Sequence, residues 1–401
     1  MARYYFTRWL LSSALLVVLS ACAGAQQTGP TVRTEAPPAT PIPAPPLTAP
    51  APLPVRVAPT RPDGPKLWPT TSFRGADFID VRDIAKRFGL KADWVKGKPA
   101  MTISDKNGVR FTFEEKQHDF YFDGLRIFLG EAPVQEKDTL WLTKLDVIKT
   151  VAPLFRPVDH AALLPAALPK VIVLDPGHGG IDPGTENKKL KLNEKSLALD
   201  VSLRLKKILE SRGWQVLLTR TDDRELSKYK TVDLQMRADF ANKQKADLFL
   251  SIHFNAADEA VRGVEVYSLP AQFMLSSGST KEDDRTKQSY PNNRFDYANL
   301  LLGSELHRAM ISSLKASDRG YKRARWGVLL QAECPAALVE CAYLSNDAEA
   351  RRAGTPEYRQ KIAEALATGL QNYSATLEAL RPKPTVPAEP TGTSGAAKAK
   401  K

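Results

Sequence analysis

Between residues 170 and 380 the chain alternates short, continuous apolar runs with longer segments of helical periodicity. The runs VIVLD at 171–175 and DLFLSI at 247–252 have no polar face, which is typical of strands buried on both sides of a sheet. The segment 194–211 between them repeats apolar residues at helical spacing, and Gly213 follows it as a suitable C-cap. This alternation predicts an α/β fold, a mostly parallel twisted sheet with helices on both faces.

Several residues able to do chemistry lie where these strands end, which is where open sheets of this type place their sites. His178 follows the first strand in the turn PGHGG, Glu194 begins the helix, and His253 ends the run SIH. Two neutral imidazoles and one carboxylate are the ligand set of a catalytic zinc site with a fourth position open for water. Glu340, at the end of ALVE, adds a separate carboxylate. A metal-activated water beside a free carboxylate is suited to amide hydrolysis.

Each of these residues also has an ordinary structural explanation. A carboxylate in the first turn of a helix, as at Glu194, usually complements the helix dipole. A histidine in a glycine turn can be a plain turn residue, and Glu340 can belong to a structural salt bridge. Their convergence on one edge of the predicted sheet favours the catalytic interpretation.

Five segments of residues 170–376 resemble the zinc-dependent N-acetylmuramoyl-L-alanine amidases. They are VIVLDPGHGGIDPGT, NEKSLALDVSLRLKKILESRGWQVLLTRTDD, LQMRADFANKQKADLFLSIHFNA, GVEVY and PAALVECAYLSN. The resemblance implies that His178, Glu194 and His253 bind Zn²⁺ and that Glu340 is the catalytic carboxylate. It also implies the reaction, cleavage of the amide between N-acetylmuramic acid and L-alanine of the stem peptide in peptidoglycan. The sequence departs from the family at Cys341-Ala342-Tyr343, where a small residue, glycine and phenylalanine are more frequent.

Three further residues are candidates for substrate binding. Asn255 matches the HxN pattern of the family and either orients the site or caps a turn. Arg323 and Arg325 precede WGVLLQ, which belongs to the alternating series of predicted strands and helices. The two arginines either hold stem-peptide carboxylates or form a solvated basic strand edge. Arg220 and Arg237 also match family positions, and structural ion pairs are the favoured interpretation for both.

The N-terminus has the features of an export signal over residues 1–22, with early arginines followed by a short apolar run. The residues Leu19-Ser20-Ala21-Cys22 resemble the bacterial lipoprotein box, which implies a lipid on Cys22 and a membrane anchor. Ala23 in the next position implies a cell-envelope location, lipid-anchored at the outer membrane and facing the periplasm. Residues 23–65 are rich in proline and alanine and are predicted to be an extended linker.

Residues 66–160 are predicted to form a small α+β domain ahead of the catalytic domain at 170–380. Asp123-Gly124 between two β-rich runs predicts a hairpin. The pattern resembles the small domain named from the N-terminus of copper amine oxidases, without implying copper. This domain either binds the cell wall or serves only as a spacer. Residues 381–401 are predicted to be a disordered tail.

The net charge of +12 suits an exported protein that meets an anionic surface, and bacterial cell wall fits better than nucleic acid. Cys334 and Cys341 are predicted to be free thiols, because a strand between them holds them too far apart for a disulfide. The polar segment 270–297 is a candidate lid, and an activating protein is a further partner if the lid inhibits. Rival hypotheses are a zinc peptidase cutting within the stem peptide and a catalytically idle wall-binding lipoprotein.

Overall fold

The computed structural model describes residues 67–381. The predicted signal segment, the lipidation site Cys22, the linker at 23–65 and nearly all of the predicted tail lie outside the described residues. No helix within 67–381 is long and apolar enough to cross a membrane.

The described strands and helices alternate most regularly after residue 170. The strands are β1 Thr71–Phe73, β2 Ala76–Asp80, β3 Lys91–Trp94, β4 Ala100–Asp105, β5 Gly108–Glu114, β6 Asp119–Phe122, β7 Leu125–Phe128, β8 Val134–Glu136, β9 Thr139–Thr143, β10 Val171–Pro176, β11 Glu186–Asn187, β12 Leu192–Asn193, β13 Gln215–Leu218, β14 Leu248–Asn255, β15 Val264–Ser268, β16 Asp318–Arg323 and β17 Ala336–Tyr343. The helices are α1 Val81–Phe88, α2 Lys144–Asp146, α3 Ala152–Phe155, α4 Glu194–Ser211, α5 Lys230–Lys243, α6 Asp284–Lys287, α7 Asp296–Leu314, α8 Gly327–Leu330, α9 Asp347–Ala353 and α10 Pro356–Leu380. A π-helical turn covers Val147–Val151, and 3₁₀ turns cover Pro157–Leu163 and Pro291–Phe295.

An eleven-stranded sheet organises this part of the chain, in the order β13-β10-β14-β17-β15-β16-β7-β6-β5-β4-β3. The first four strands are parallel, β15 runs antiparallel to β17, and β16 is parallel to β15. Because β10, β14 and β17 are parallel neighbours, their carboxyl ends meet at one edge of the sheet.

Helices cover both faces of the parallel part, as the alternation of side chains in β10 shows. Ile172 and Leu174 pack in an apolar cluster with residues of α4, α7 and α10. Val173, which points the other way, packs in a second cluster with residues of α5 and α8. The predicted fold class, a mostly parallel sheet with helices on both faces, is therefore confirmed.

Five strands of the N-terminal region continue the same sheet. Strand β7 pairs with β16 through Ile127 and Tyr321, and β6 to β3 extend the sheet by antiparallel pairing. A second sheet, in the order β1-β2-β9-β8, lies within the same region. The predicted hairpin is confirmed, since Asp123 and Gly124 link β6 to β7 with φ values of 48° and 78°, as a type I′ turn requires.

Two other sequence predictions have clear outcomes. Cys334 and Cys341 are free and buried, as predicted. The segment WGVLLQ at 326–331 is not a strand: its middle forms the one-turn helix α8, and the strand in this part of the chain is β16. Side chains of α8 meet an apolar cluster on one face of the sheet, so a short helix buries them as well as a strand would.

Candidate metal centre and catalytic carboxylate

Close backbone approach at two glycines lets the predicted ligands converge. A Cβ atom added to Gly177 would lie 2.3 Å from the ring of His253, and one added to Gly184 would lie 2.5 Å from Oε2 of Glu194. His178 itself has a φ of 60°, a left-handed conformation that few non-glycine residues adopt. The turn after β10 therefore has the glycines it needs to aim His178 at the other two residues.

The structure brings His178, Glu194 and His253 together at the carboxyl edge of the sheet. Oε1 of Glu194 lies 2.8 Å from Nδ1 of His253 and 3.2 Å from Nε2 of His178. One ligand atom from each residue lies within 4.8 Å of the others. Such a cluster is able to hold a metal ion.

Neighbouring groups fix the orientation of Glu194. Asn193 caps α4 with its side chain, so Glu194 begins the helix beside the glycine-rich turn. Oε2 of Glu194 accepts a hydrogen bond of 2.7 Å from the backbone N–H of Thr185, and Oε1 accepts one of 3.0 Å from that of Phe254. Burial opposes the charge of Glu194, but hydrogen bonds from His178 and His253 hold its pKa far below the usual range. The carboxylate is therefore held in its anionic, cation-binding form.

A buried network of hydrogen bonds holds the ring of His253. Nε2 of His253 lies 3.1 Å from Oγ of Ser251, which donates a 2.7 Å hydrogen bond to Oδ2 of Asp175. Arg237 forms a 2.9 Å ion pair with Asp175 and a second with Asp233, so its predicted structural role is confirmed. Supporting hydrogen bonds of this kind select the tautomer and orientation of a ligating histidine.

Glu340 lies beside the cluster with one oxygen unpaired. It is the register partner of His253 across β14 and β17, and it is 9% exposed. Its Oε2 atom is buried and has no hydrogen-bond partner within residues 67–381. Burial, followed by the charges of Glu194 and Glu265, raises the pKa of Glu340 well above its usual value. The donor set and this unpartnered oxygen together fit a catalytic metal centre that activates a water molecule.

The predicted substrate residues lie in different surroundings. The side chain of Asn255 donates a 3.1 Å hydrogen bond to Glu265. Arg323 and Arg325 are only 4% and 9% exposed, so neither forms the solvated strand edge that was the alternative. Arg323 donates to Oγ1 of Thr150, and Arg325 donates to carbonyl oxygens of the segment 270–297. Contact of these three residues with substrate stays a prediction.

Arg220 also has a structural role, but by contacts other than the predicted ion pair. Its guanidinium donates to the carbonyl oxygens of Pro176, Gly177 and Lys195. These bonds fasten the turn that carries His178 to the first turns of α4.

Sequence reasoning missed Glu265, which is 2% exposed and accepts hydrogen bonds from several side chains next to Glu340. The available signal was a glutamate in the middle of the apolar strand GVEVY. A charged residue in such a strand needs buried partners, and those partners come from distant parts of the chain.

Comparisons with known proteins find similar chains. A family model described as N-acetylmuramoyl-L-alanine amidase matches residues 172–372, half of the chain. An uncharacterized cell wall amidase of Bacillus anthracis is 32% identical over 207 residues, which are 51% of this chain and 35% of that relative. The germination-specific N-acetylmuramoyl-L-alanine amidase of Bacillus subtilis (strain 168) is 32% identical over 213 residues, 51% of this chain and 79% of that relative. The crystal structure of an N-acetylmuramoyl-L-alanine amidase from Clostridium difficile 630 aligns over 52% of this chain and 97% of its own, with 28% identity and a TM-score of 0.41. The chain thus spans about a third of the first relative and about four fifths of the second.

Proposed function

The chain belongs to the N-acetylmuramoyl-L-alanine amidase family, and on that premise we propose that it hydrolyses the muramoyl–L-alanine amide of peptidoglycan. The observation that carries the proposal is the cluster of His178, Glu194 and His253 with the unpartnered carboxylate oxygen of Glu340 beside it. Binding to cell wall without catalysis would need none of these four groups.

The donor set favours zinc among the metals. Two imidazoles and one carboxylate suit Zn²⁺, whereas Mg²⁺ and Ca²⁺ prefer oxygen ligands. A zinc ion held by these residues would supply Lewis-acid activation of water and of the scissile carbonyl group.

Glu340 then acts as the proton carrier. Its Oε2 atom accepts the proton of the attacking water as the tetrahedral carbon forms, because no group among residues 67–381 bonds that oxygen. The same atom returns the proton to the leaving nitrogen of L-alanine when the amide bond breaks. A buried carboxylate with a raised pKa suits both steps, since it binds a proton more readily than an exposed one.

Mass spectrometry of the products tests the reaction. Purified peptidoglycan is incubated with the 401-residue chain, with and without a chelator. We expect free stem peptides that begin with L-alanine, released only when metal is present. Shortened peptides still attached to muramic acid would identify a peptidase instead. Zinc-loaded protein that releases nothing would indicate an enzyme that requires an activating protein.

We also propose that the chain acts in the cell envelope, anchored by a lipid on Cys22 and reaching peptidoglycan through residues 23–65. The support is the sequence Leu19-Ser20-Ala21-Cys22 followed by Ala23. Expression in a Gram-negative host tests this, because Cys22→Ser should move the protein from the outer-membrane fraction to the soluble periplasm. Equal fractionation of both proteins would refute the anchor.

A further inference from the structure

Glu265 is a buried carboxylate next to the catalytic one. It lies on β15, which pairs antiparallel with β17, and its register partner is Glu340. It is 2% exposed, so water does not solvate its charge. A buried carboxylate is costly unless several donors surround it, and two adjacent carboxylates repel each other. The position therefore requires a specific arrangement of partners.

Four side chains on four strands donate hydrogen bonds to Glu265, and Arg319 on β16 adds an ion pair of 3.5 Å. Oε1 accepts hydrogen bonds of 2.6 Å from Nζ of Lys322 on β16 and 2.6 Å from the hydroxyl of Tyr343 on β17. Oε2 accepts a bond of 3.1 Å from the side chain of Asn255 on β14 and a short one from the hydroxyl of Tyr267. Burial opposes the charge of Glu265, but Lys322 and the hydroxyl donors lower its pKa and keep it ionised.

Two of these donors lie at an irregularity in the sheet. His253 pairs with Glu340, but Asn255 pairs with Tyr343, so β17 has one extra residue between these two pairs. Such a bulge bends the strand and redirects the neighbouring side chains, and bulges are frequent next to active sites. Both residues that close this bulge donate to the same carboxylate.

We propose that Glu265 is a positioning residue that clamps the bulge between β14 and β17 and thereby sets the placement of Glu340 relative to His178, Glu194 and His253. The proposal rests on the proposed function, because it concerns the geometry of the same reaction. The hydroxyl of Tyr343 gives the clamp a bond that a phenylalanine at this position would lack.

Variants that remove single groups from the clamp test its effect on the reaction. Tyr343→Phe deletes one hydroxyl, and Glu265→Gln deletes the charge at nearly constant shape. Because a misplacement of about 1 Å costs on the order of a hundredfold in rate, we expect kcat to fall about tenfold in the first variant and about a hundredfold in the second. KM should stay within about twofold, and the double variant should be no slower than Glu265→Gln alone.

Tyr321→Phe is the matched control. Its ring is fully buried, and its hydroxyl bonds Ser268 on the same strand as Glu265 but does not contact the clamp. It should lose stability while keeping kcat per folded molecule within about twofold. A general loss of packing would lower kcat equally in the control and in Tyr343→Phe, and that result would overturn the proposal.

Two readouts do not depend on turnover. Zinc affinity, measured by chelator competition, should stay within about threefold, because the three ligands keep their own hydrogen bonds. Backbone amide exchange at residues 340–344 should become faster in Tyr343→Phe and stay unchanged in Tyr321→Phe. Unchanged exchange and unchanged kcat in both clamp variants would refute the clamp. A wild type that shortens stem peptides still attached to muramic acid would instead refute the proposed function, and the exchange measurement would still decide on the clamp.

Discussion

Replacing Glu340 by glutamine separates its chemistry from its structural role. The substitution removes one charge and one proton acceptor at nearly constant volume. Because Oε2 has no hydrogen-bond partner in the described part of the chain, glutamine breaks no bond at that atom. It also removes the repulsion from Glu194 and Glu265, the neighbouring charges that, after burial, raise the pKa of Glu340. The variant should therefore fold and load zinc like the wild type, with no loss of stability.

The expected loss is confined to the chemical step. Proton transfer by a positioned side chain contributes about 10²–10⁴-fold to rate. At about 1.36 kcal/mol per tenfold, this is about 2.7–5.4 kcal/mol of activation free energy. We expect the loss at the upper end, since Glu340 serves both proton transfers.

The assay measures release of peptides beginning with L-alanine, zinc content per molecule and thermal stability in the same preparations. Glu333→Gln is a suitable control, because Glu333 is an exposed glutamate shortly before β17. A Glu340→Gln protein that holds one zinc and turns over within tenfold of wild type would refute the proposed role. A protein that has lost zinc would show that Glu340 belongs to the metal site instead.

Three further predictions concern the groups around the site and the fold. Arg237→Met should lower the free energy of unfolding by about 3–5 kcal/mol in urea denaturation, because it leaves two buried carboxylates without their cation; a loss below 1 kcal/mol would contradict this. Gly177→Ala should weaken zinc binding by about 10–100-fold in chelator competition, since the added Cβ atom would displace the ring of His253. An unchanged zinc affinity would contradict this prediction and show that the backbone of the turn moves to make room for the Cβ atom. Burial opposes the charge of Asp318, but hydrogen bonds, the first from His307, lower its pKa. The stability that Asp318 contributes is therefore fully present above its unfolded pKa of about 3.9, and it is lost as the pH falls through the lower pKa of the folded state. The stability gap between wild type and Asp318→Asn should therefore shrink from pH 7 to pH 3, and a gap that widens would reverse the assigned sign.

Local patterns in the sequence determined the secondary structure of the catalytic region. The apolar runs at 171–175 and 247–252 became β10 and β14, and the periodic segment 194–211 became α4 with the predicted bounds. The hairpin at Asp123-Gly124 was also predictable, because its turn depends only on the φ angles of two adjacent residues. The proximity of His178, Glu194 and His253 followed from the same information, since parallel strands bring their carboxyl ends to one edge.

Contacts between distant parts of the chain were decided only by the tertiary structure. Periodicity shows that a side chain is buried but not which residues surround it. Arg323 and Arg325 were therefore expected near substrate or solvent, although their guanidinium groups bond the segment 270–297 and the N-terminal region. The pairing of β7 with β16, which joins the two regions into one sheet, leaves no signal in either strand alone.

The contacts of Glu265 at the site could not be predicted from the sequence either. Its strand was predictable, but its four donors lie between 2 and 78 positions away along the chain. The sequence by itself determined where the main strands of the catalytic region form, because their apolar patterns depend on neighbouring residues. The tertiary structure decided the bulge between β14 and β17 and the group that clamps it, because both depend on how three strands are aligned in space.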